Sequence, residues 1–193
     1  MTIVFATNNQ HKVDEIRSAL PKDFSIISLK EAGIDIEIPE PYETLEDNAA
    51  EKARTVHDLT KSNCFSEDTG LEVYSLDNEP GVHSARYAGE DRSFDKNIDK
   101  LLSKLNGSLE RSARFRTVVC LIIDEKEHFF EGLCEGSITT EKRGISGFGY
   151  DPVFVPTGSG RTFAEMTIED KNGFSHRKKA MDKLVAFLNH LKG

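Results

Sequence analysis

The sequence predicts a protein of the α/β class, because short runs of β-forming residues alternate with stretches whose apolar residues recur at helical spacing. Residues 2–6 form the first such run, and Val13 and Ile16 then follow a helical period that stops at Pro21. A length of 193 residues is enough for a sizeable core in one domain or in two closely packed lobes. We therefore expect a single domain over residues 1–193.

Capping residues and breaks in the pattern delimit the other elements. A charged turn at Asp124 and Glu125 between two long apolar runs predicts a hairpin. The elements expected after the first helix are a strand over 24–29, a helix opened by Thr44, a strand within 63–73, a helix capped by Ser93, strands over 113–123 and 127–139, and a helix capped by Ser175. The residues expected on the buried faces of the later helices are Leu45, Ala49, Val56, Leu59, Phe94, Ile98, Leu101, Leu102, Leu105, Met181, Leu184, Leu188 and Leu191.

Composition argues against several classes of protein. The net charge of −8 disfavours a general nucleic-acid binder, which needs a basic surface. No apolar run has the length of a membrane span, and residues 1–7 lack a basic leader followed by a long apolar region, so we expect no signal peptide and a cytoplasmic protein. The three cysteines are an odd count without metal-ligand spacing, which indicates reduced core thiols rather than disulfides or a zinc site.

Charge is distributed unevenly along the chain. Residues 35–51 contain seven acidic residues and no basic one, whereas residues 161–193 carry a net charge of +3 from seven basic and four acidic residues. Pro39 and Pro41 make the acidic segment a loop, since neither suits a central strand or a helix. The two segments could clamp a metal–polyphosphate between them, although ordinary surface patterning gives the same composition.

Two adjacent carboxylates, Glu67 and Asp68, lie at the end of the strand predicted within 63–73. Holding two such groups near each other is unfavourable, and proteins usually do so where a cation or a proton transfer needs the pair. The alternative is a solvated strand-to-turn junction, because Asp-Thr-Gly also suits a turn. On this stretch alone the turn is the favoured interpretation.

Three further segments could bind an anion or a flat ligand. Small polar residues over 7–12 join the first strand to the first helix, where N–H groups and a lysine suit a phosphate, unless Asn8 or Asn9 only caps the helix. Glycines around two aromatic rings in 144–160 suit a backbone that approaches a flat base, or a surface loop pinned by buried rings. Cations within 176–179 oppose the dipole of the last helix, so they require a nearby anion or a functional reason.

Together these motifs fall in one order and spacing along nearly the whole chain, and the set is far more specific than any member. The segments are residues 6–12 with Glu15, 47–49 with Lys52 and Ala53, 67–71, 80–87, 147–152, and Lys171 with 175–177. By these residues the sequence resembles the non-canonical purine nucleoside triphosphate pyrophosphatases, also called inosine/xanthosine triphosphate pyrophosphatases.

The resemblance implies an α/β fold with a long mixed sheet flanked by helices, two lobes and a central active-site cleft. It implies hydrolysis of ITP, dITP or XTP to the monophosphate and pyrophosphate with Mg²⁺, by a homodimer that meets near Arg86. Asp68 would be the general base and a metal ligand, with Glu40 as the second carboxylate. The implied substrate-binding residues are Thr7, Asn8, Asn9, Gln10, His11, Lys12, Lys52, Thr69, Phe148, Gly149, Tyr150, Asp151, Lys171, His176 and Arg177.

Within that set, the resemblance assigns the phosphates to residues 7–12 and Lys52. It assigns the faces of the base to Phe148 and Tyr150. The edge of the base falls to Asp151, Lys171, His176 and Arg177.

The sequence departs from the family pattern in two places. Asn8 and His11 stand where the family commonly has glycines, and Pro41 with Tyr42 replaces a common Thr-Gly, which loosens the alignment of Glu40. One alternative is a related pyrophosphatase that prefers modified pyrimidine triphosphates, and the motifs at 147–151 and 175–177 count against it. Another is a nucleotide-binding module without catalysis, which the intact carboxylate pair disfavours.

Overall fold

The computed structural model describes residues 2–191, and these contain a mixed β-sheet flanked by helices. Its strands are β1 (Thr2–Phe5), β2 (Ser25–Ser28), β3 (Cys64–Val73), β4 (Pro80–Gly81), β5 (Ser112–Ile123), β6 (Lys126–Ile138) and β7 (Phe154–Pro156). Their order is β2-β1-β3-β5-β6-β7, with β4 paired to β3 outside this path. β1 runs parallel to β2 and β3, whereas β4 is antiparallel to β3 and β7 to β6. The predicted α/β class with a long mixed sheet is confirmed.

Caps predicted from the sequence begin several of the helices. The helices are α1 (Gln10–Ala19), α2 (Leu45–Thr60), α3 (Phe94–Lys104), α4 (Ile168–Asn172) and α5 (His176–Leu191). The side chains of Asn9, Thr44 and Ser93 accept hydrogen bonds from first-turn N–H groups of α1, α2 and α3. The hairpin is also confirmed, and both turn residues, Asp124 and Glu125, have positive φ angles of 50° and 61°.

Three elements were not predicted from the sequence, because they are too short for a hydrophobic period to show. They are β4 with two residues, β7 with three and α4 with five. Each lies in a segment that the sequence analysis treated as a loop or left unassigned.

The predicted core was wrong at helix ends. Leu59, Phe94 and Leu191 are 60%, 42% and 55% exposed, respectively. Leu59 lies in the last turn of α2, Phe94 is the first residue of α3 and Leu191 is the last of α5. The apolar face of each helix therefore extends past the part of the helix that packs on the core. The stripe positions between these ends, such as Val56 and Leu188, are buried as expected.

The chain divides into two compact units. The first comprises Met1–Asp68, Thr117–Gly132 and His176–Gly193. Its core packs α1 and α5 against the sheet through fully buried side chains such as Phe5, Ile16, Phe65 and Met181. Phe5 and Phe65 stack across the parallel pair β1–β3 with ring centroids 4.5 Å apart.

The second unit comprises Thr69–Arg116 and Leu133–Ser175 and has a core of its own. Leu101 and Leu105 from α3 pack with Phe154 and Phe163 in that cluster. Phe154 lies edge-on to Phe115 at 4.7 Å between centroids.

The three cysteine thiols lie in the core, as the sequence predicted. Cys64, Cys120 and Cys134 are free and buried, and burial raises the pKa of Cys64 and Cys120 to about 12. These thiols are therefore neutral core side chains. Among residues 2–191 no helix combines the length and the apolar character that a membrane crossing requires.

Candidate active site

The two adjacent carboxylates, Glu67 and Asp68, lie within strand β3 and not at its end. The expected turn at Asp68 is wrong, because the strand continues to Val73. Successive side chains of a strand point to opposite faces, so Glu67 and Asp68 face different helices although both are buried. On the Asp68 face, Ser66 Oγ donates to the Ala49 carbonyl of α2. The pair is thus two separate half-sites, and a different lysine contacts each carboxylate.

Lys52 of α2 is the cation on the Asp68 face. Its Nζ lies 3.3 Å from Asp68 Oδ1 and also donates to the carboxylate of Glu40. The sequence pattern alone suggested a solvated side chain, but Lys52 is only 7% exposed. Burial alone would lower the pKa of Lys52, but the charges of Asp68 and Glu40 outweigh it and raise that pKa. Lys52 is therefore a buried ammonium that bridges two carboxylates.

The carboxyl group of Asp68 has a pKa raised above its usual range. The main cause is burial, which disfavours the charged form, and the nearby negative charge of Glu40 adds to it. Lys52 and Lys12 act in the opposite direction. A carboxylate with a raised pKa is a better proton acceptor than an ordinary aspartate, which is the property a general base requires.

Two asparagine side chains hold the acidic loop that carries Glu40. Asn48 of α2 accepts from Tyr42 N at 2.9 Å and donates to Tyr42 O at 3.0 Å, so it grips both backbone groups of one loop residue. On the other side of Glu40, Asn8 Nδ2 donates to Ile36 O at 2.8 Å. Asn8 therefore anchors the loop to the β1–α1 junction.

The opposite face of β3 gives Glu67 a cationic environment. Lys12 Nζ lies 2.8 Å from Glu67 Oε1, and Arg177 donates from Nε at 2.7 Å and from Nη2 at 3.2 Å. Burial alone would raise the pKa of Glu67, but Arg177 and Lys12 hold it well below its usual range. Arg177 also donates from Nη1 to Glu15 of α1. Glu67 is therefore a permanent anion that orders cations.

The first turn of α5 has the local anions that its charges required. Arg177 is 2% exposed and lies between the carboxylates of Glu15 and Glu67. The start of α5 can approach the sheet because residue 132 of β6 is a glycine. A Cβ at that position would lie 2.0 Å from the carbonyl oxygen of His176. His176, also predicted for the base edge, is buried beside it at the helix start. Gly132 carries no distinguishing signal in the sequence, because an isolated glycine in a strand has several causes.

The junction between β1 and α1 is a capped helix start without a glycine-rich loop. Asn9 Oδ1 accepts from Lys12 N at 3.3 Å, and Thr7 Oγ1 accepts from Asn9 N at 3.2 Å. Gln10 donates to Asp14 along the helix at 2.7 Å, and His11 is exposed. The capping interpretation is correct for Asn9, and the lysine that follows it contacts Glu67.

The second unit contains the glycine- and aromatic-rich loop. Lys171 Nζ lies 2.6 Å from Asp151 Oδ2 in a buried ion pair, and Phe148 N donates to the same oxygen at 3.0 Å. Gly147 allows this turn, because it has a φ of 78° and a Cβ would lie 2.1 Å from Asp151 Oδ2. Lys171 Nζ is 5.3 Å from the centroid of the Phe148 ring. The structure therefore brings three predicted base-binding residues together.

Tyr150 and Thr69 lie in different surroundings within the same unit. Tyr150 is 4% exposed, belongs to the core cluster and donates from its hydroxyl to Ser84 O at 2.9 Å. This matches the alternative of a loop pinned by a buried ring, while stacking on a base stays a prediction for Tyr150. Thr69 follows Asp68 in β3 and is partly exposed, and Gly149 has a φ of 60°.

The donor set around Lys52 suits a hard divalent cation. Glu40 and Asp68 direct oxygen atoms toward one nitrogen, so a cation at that point meets two carboxylates. Within residues 2–191 no group of three or more His, Cys, Asp or Glu side chains is arranged to hold a metal. Mg²⁺ binds in proteins through one or two carboxylates together with waters and substrate phosphates. The two carboxylates therefore fit Mg²⁺ bound with a phosphorylated ligand.

A mixed α/β sheet whose inner strand carries buried carboxylates paired with lysine and arginine is typical of a protein that binds a charged ligand. The model of the Ham1 family matches residues 3–187, and the chain belongs to that family. It is 47% identical over 190 residues to a dITP/XTP pyrophosphatase of Flavobacterium psychrophilum, covering 98% of this chain and 100% of the relative. It is 52% identical to a dITP/XTP pyrophosphatase of Porphyromonas gingivalis, covering 96% of each.

Solved structures give the same fold. The Ham1 protein of Staphylococcus aureus superposes with a TM-score of 0.88 at 38% identity, over 98% of this chain and 99% of that one. A HAM1 protein from Coxiella burnetii superposes with a TM-score of 0.89 at 34% identity and the same coverage. The family resemblance derived from the motifs is thereby confirmed.

Proposed function

We propose that the protein hydrolyses non-canonical purine nucleoside triphosphates, namely ITP, dITP and XTP, to the monophosphate and pyrophosphate. The observation that carries the proposal is the cluster of Asp68, Glu40 and Lys52 on one face of β3, in which Asp68 and Lys52 are buried. It supplies a proton acceptor with a raised pKa, a pair of metal-binding carboxylates and a phosphate-binding cation. Family membership and the name dITP/XTP pyrophosphatase of the two relatives above support the choice of reaction.

The cofactor in this proposal is Mg²⁺, held by Asp68 and Glu40. When bound, the metal neutralises charge on the triphosphate and activates the attacking water. The protein carries a net charge of −8, so a highly anionic substrate needs such screening.

Asp68 accepts the proton of the water that attacks the α-phosphorus. Its raised pKa, caused mainly by burial, makes the carboxylate a good acceptor for that proton. Lys12 and Lys52 stabilise the charge that develops on the pyrophosphate leaving group, and the N–H groups and side chains of Thr7, Asn8, Asn9, Gln10 and His11 hold the phosphates. Glu67 binds Lys12 at 2.8 Å and so restricts where that ammonium can lie.

Recognition of the base is assigned to the residues of the glycine- and aromatic-rich loop and of the first turn of α5. Phe148 stacks on the base with Tyr150 and Gly149 close to it, and Thr69 contacts the substrate. Asp151, Lys171, His176 and Arg177 bind the polar edge. Inosine and xanthosine carry a 6-oxo acceptor where adenosine carries an amino donor, so cationic donors favour them over adenosine. Guanosine shares the 6-oxo group, and its rejection must come from contacts at position 2.

The proposal also covers the location, the oligomeric state and the partners of the enzyme. We propose a cytoplasmic homodimer that meets near Arg86 and binds neither nucleic acid nor membrane. An acidic net charge of −8 agrees with the absence of a nucleic-acid partner. The central cleft and the single domain over 1–193 also stay predictions.

The site of attack is tested by hydrolysing ITP in water enriched in heavy oxygen and analysing both products by mass spectrometry. Attack at the α-phosphorus places the solvent oxygen in inosine monophosphate and leaves the pyrophosphate unlabelled. Label in the pyrophosphate, or release of inorganic phosphate with a diphosphate, would contradict the proposed reaction. An absence of any product would favour the nucleotide-binding module without catalysis.

A further inference from the structure

A cation already lies between the two carboxylates assigned to the metal. Lys52 Nζ contacts both Glu40 and Asp68, and the side chain is 7% exposed. Lys12, the other lysine assigned to the triphosphate, contacts Glu67 on the opposite face of β3. The two lysines therefore differ in their partners. Of the two, Lys52 is the one that contacts the carboxylate oxygens assigned to the metal.

A buried carboxylate such as Asp68 requires a compensating positive charge. Without nucleotide, Lys52 supplies that charge to Glu40 and Asp68, and the same contacts fix the positions of both groups. A divalent ion on the same two oxygens would lie within contact distance of the ammonium, and the two positive charges would repel. Lys52 and a metal ion therefore compete for one pair of carboxylates.

We propose that Lys52 is a resident counter-cation, which keeps Glu40 and Asp68 in place and weakens the binding of divalent metal until a triphosphate arrives. The inference rests on the proposed function and deepens it, because it states how substrate and metal bind in relation to each other. When the triphosphate binds, the ammonium of Lys52 exchanges its carboxylates for phosphate oxygens. Glu40 and Asp68 then receive the divalent ion that accompanies the nucleotide, so the buried charges of Asp68 and Lys52 keep partners throughout.

One consequence is that metal and triphosphate bind with positive coupling, because each makes the displacement of Lys52 from the carboxylates less unfavourable for the other. A second is that removal of Lys52 weakens hydrolysis yet strengthens binding of metal alone. A lysine that only contacted phosphates, or only stabilised the fold, would not produce this opposite pair of effects.

The test measures Mn²⁺ binding in the absence of nucleotide, since Mn²⁺ prefers the same oxygen ligands as Mg²⁺ and its free ion gives an electron paramagnetic resonance signal. The proteins are the wild type, Lys52→Gln, Lys12→Gln and the double variant Lys52→Gln with Glu40→Gln. We expect Lys52→Gln to bind Mn²⁺ at least about tenfold more tightly than the wild type. The control Lys12→Gln loses a lysine that contacts Glu67 and acts on Asp68 only without contact, so we expect its gain in Mn²⁺ affinity to be well below that of Lys52→Gln. The double variant should lose the gain.

A folded Lys52→Gln protein that binds Mn²⁺ no more tightly than the wild type would overturn the inference, and so would an equal gain in Lys12→Gln. If Lys52→Gln does not fold, acylation of the wild-type lysines with and without saturating Mg²⁺ decides the question. The inference predicts that Mg²⁺ increases acylation of Lys52 several-fold and leaves Lys12 unchanged, and no increase at Lys52 would contradict it. Pyrophosphate release from ITP by the wild type tests the proposed function separately.

Discussion

Replacement of Asp68 by asparagine is expected to lower the turnover of ITP by about 10²–10⁴-fold while the protein remains folded. Asparagine keeps the shape of the side chain but cannot accept a proton from water or supply an anionic metal ligand. Folding should persist because Asp68 pairs with Lys52, which still has Glu40 as a partner. The change also removes a charge whose burial is unfavourable, as the raised pKa of Asp68 shows.

The measurement is pyrophosphate release from ITP at saturating Mg²⁺, together with a thermal unfolding curve for each protein. Asp58→Asn is a matched control, because Asp58 belongs to the exposed pair with Lys61 on the same helix as Lys52. We expect that control to retain wild-type turnover. Near-full activity of Asp68→Asn would remove Asp68 from the role of general base.

Replacement of Arg177 by alanine should have the largest effect on stability, lowering the free energy of unfolding by about 3–5 kcal/mol. Arg177 is 2% exposed and holds two buried carboxylates, Glu15 and Glu67. Its removal leaves negative charge without a partner in the core of the first unit. Glu67 would be affected most, since Arg177 is the first of the charges that keep its pKa low.

Denaturant unfolding of Arg177→Ala measures this effect. Lys178→Ala is the control at the next position, where an exposed pair with Asp182 contributes at most about 1 kcal/mol. Equal stability of Arg177→Ala and the wild type would show that the buried ion pairs do not hold this region together.

Arg177→Ala also tests the role in base recognition. The ratio of ITP to ATP hydrolysis should fall if the guanidinium donates to the 6-oxo group. An unchanged ratio would restrict Arg177 to the positioning of Glu67 and Glu15. The two measurements are independent, because one follows unfolding and the other compares two substrates in the folded enzyme.

Local patterns predicted the long elements well and the carboxylate pair poorly. Asn9, Thr44 and Ser93 cap helices because short polar side chains satisfy first-turn N–H groups wherever a helix follows. The turn proposed at Asp68 was wrong, because the pairing of β3 with its neighbours overrides the turn preference of Asp-Thr-Gly. The partner strands β1 and β5 are distant in sequence, so this pairing leaves no local signal.

The candidate site required contacts that a single sequence does not contain. Lys52 looked like an ordinary surface lysine of a helix, and its burial follows from the approach of Glu40 and Asp68, which lie 12 and 16 residues away. Arg177 and Glu67 are 110 residues apart. The motif set still identified these residues. A family resemblance can indicate which residues form a site even though it does not show the contacts between them. The anchoring of the acidic loop by Asn8 and the close approach at Gly132 emerged only from the structure.

The proposed activity is the release of pyrophosphate from purine triphosphates whose bases are non-canonical. The most direct measurement is pyrophosphate release from ITP, XTP, GTP and ATP, each with Mg²⁺ and with a chelator. We expect release that depends on the metal and is confined largely to ITP and XTP. Equal release from all four nucleotides would contradict the base recognition, and release that persists in the chelator would contradict the metal-dependent mechanism.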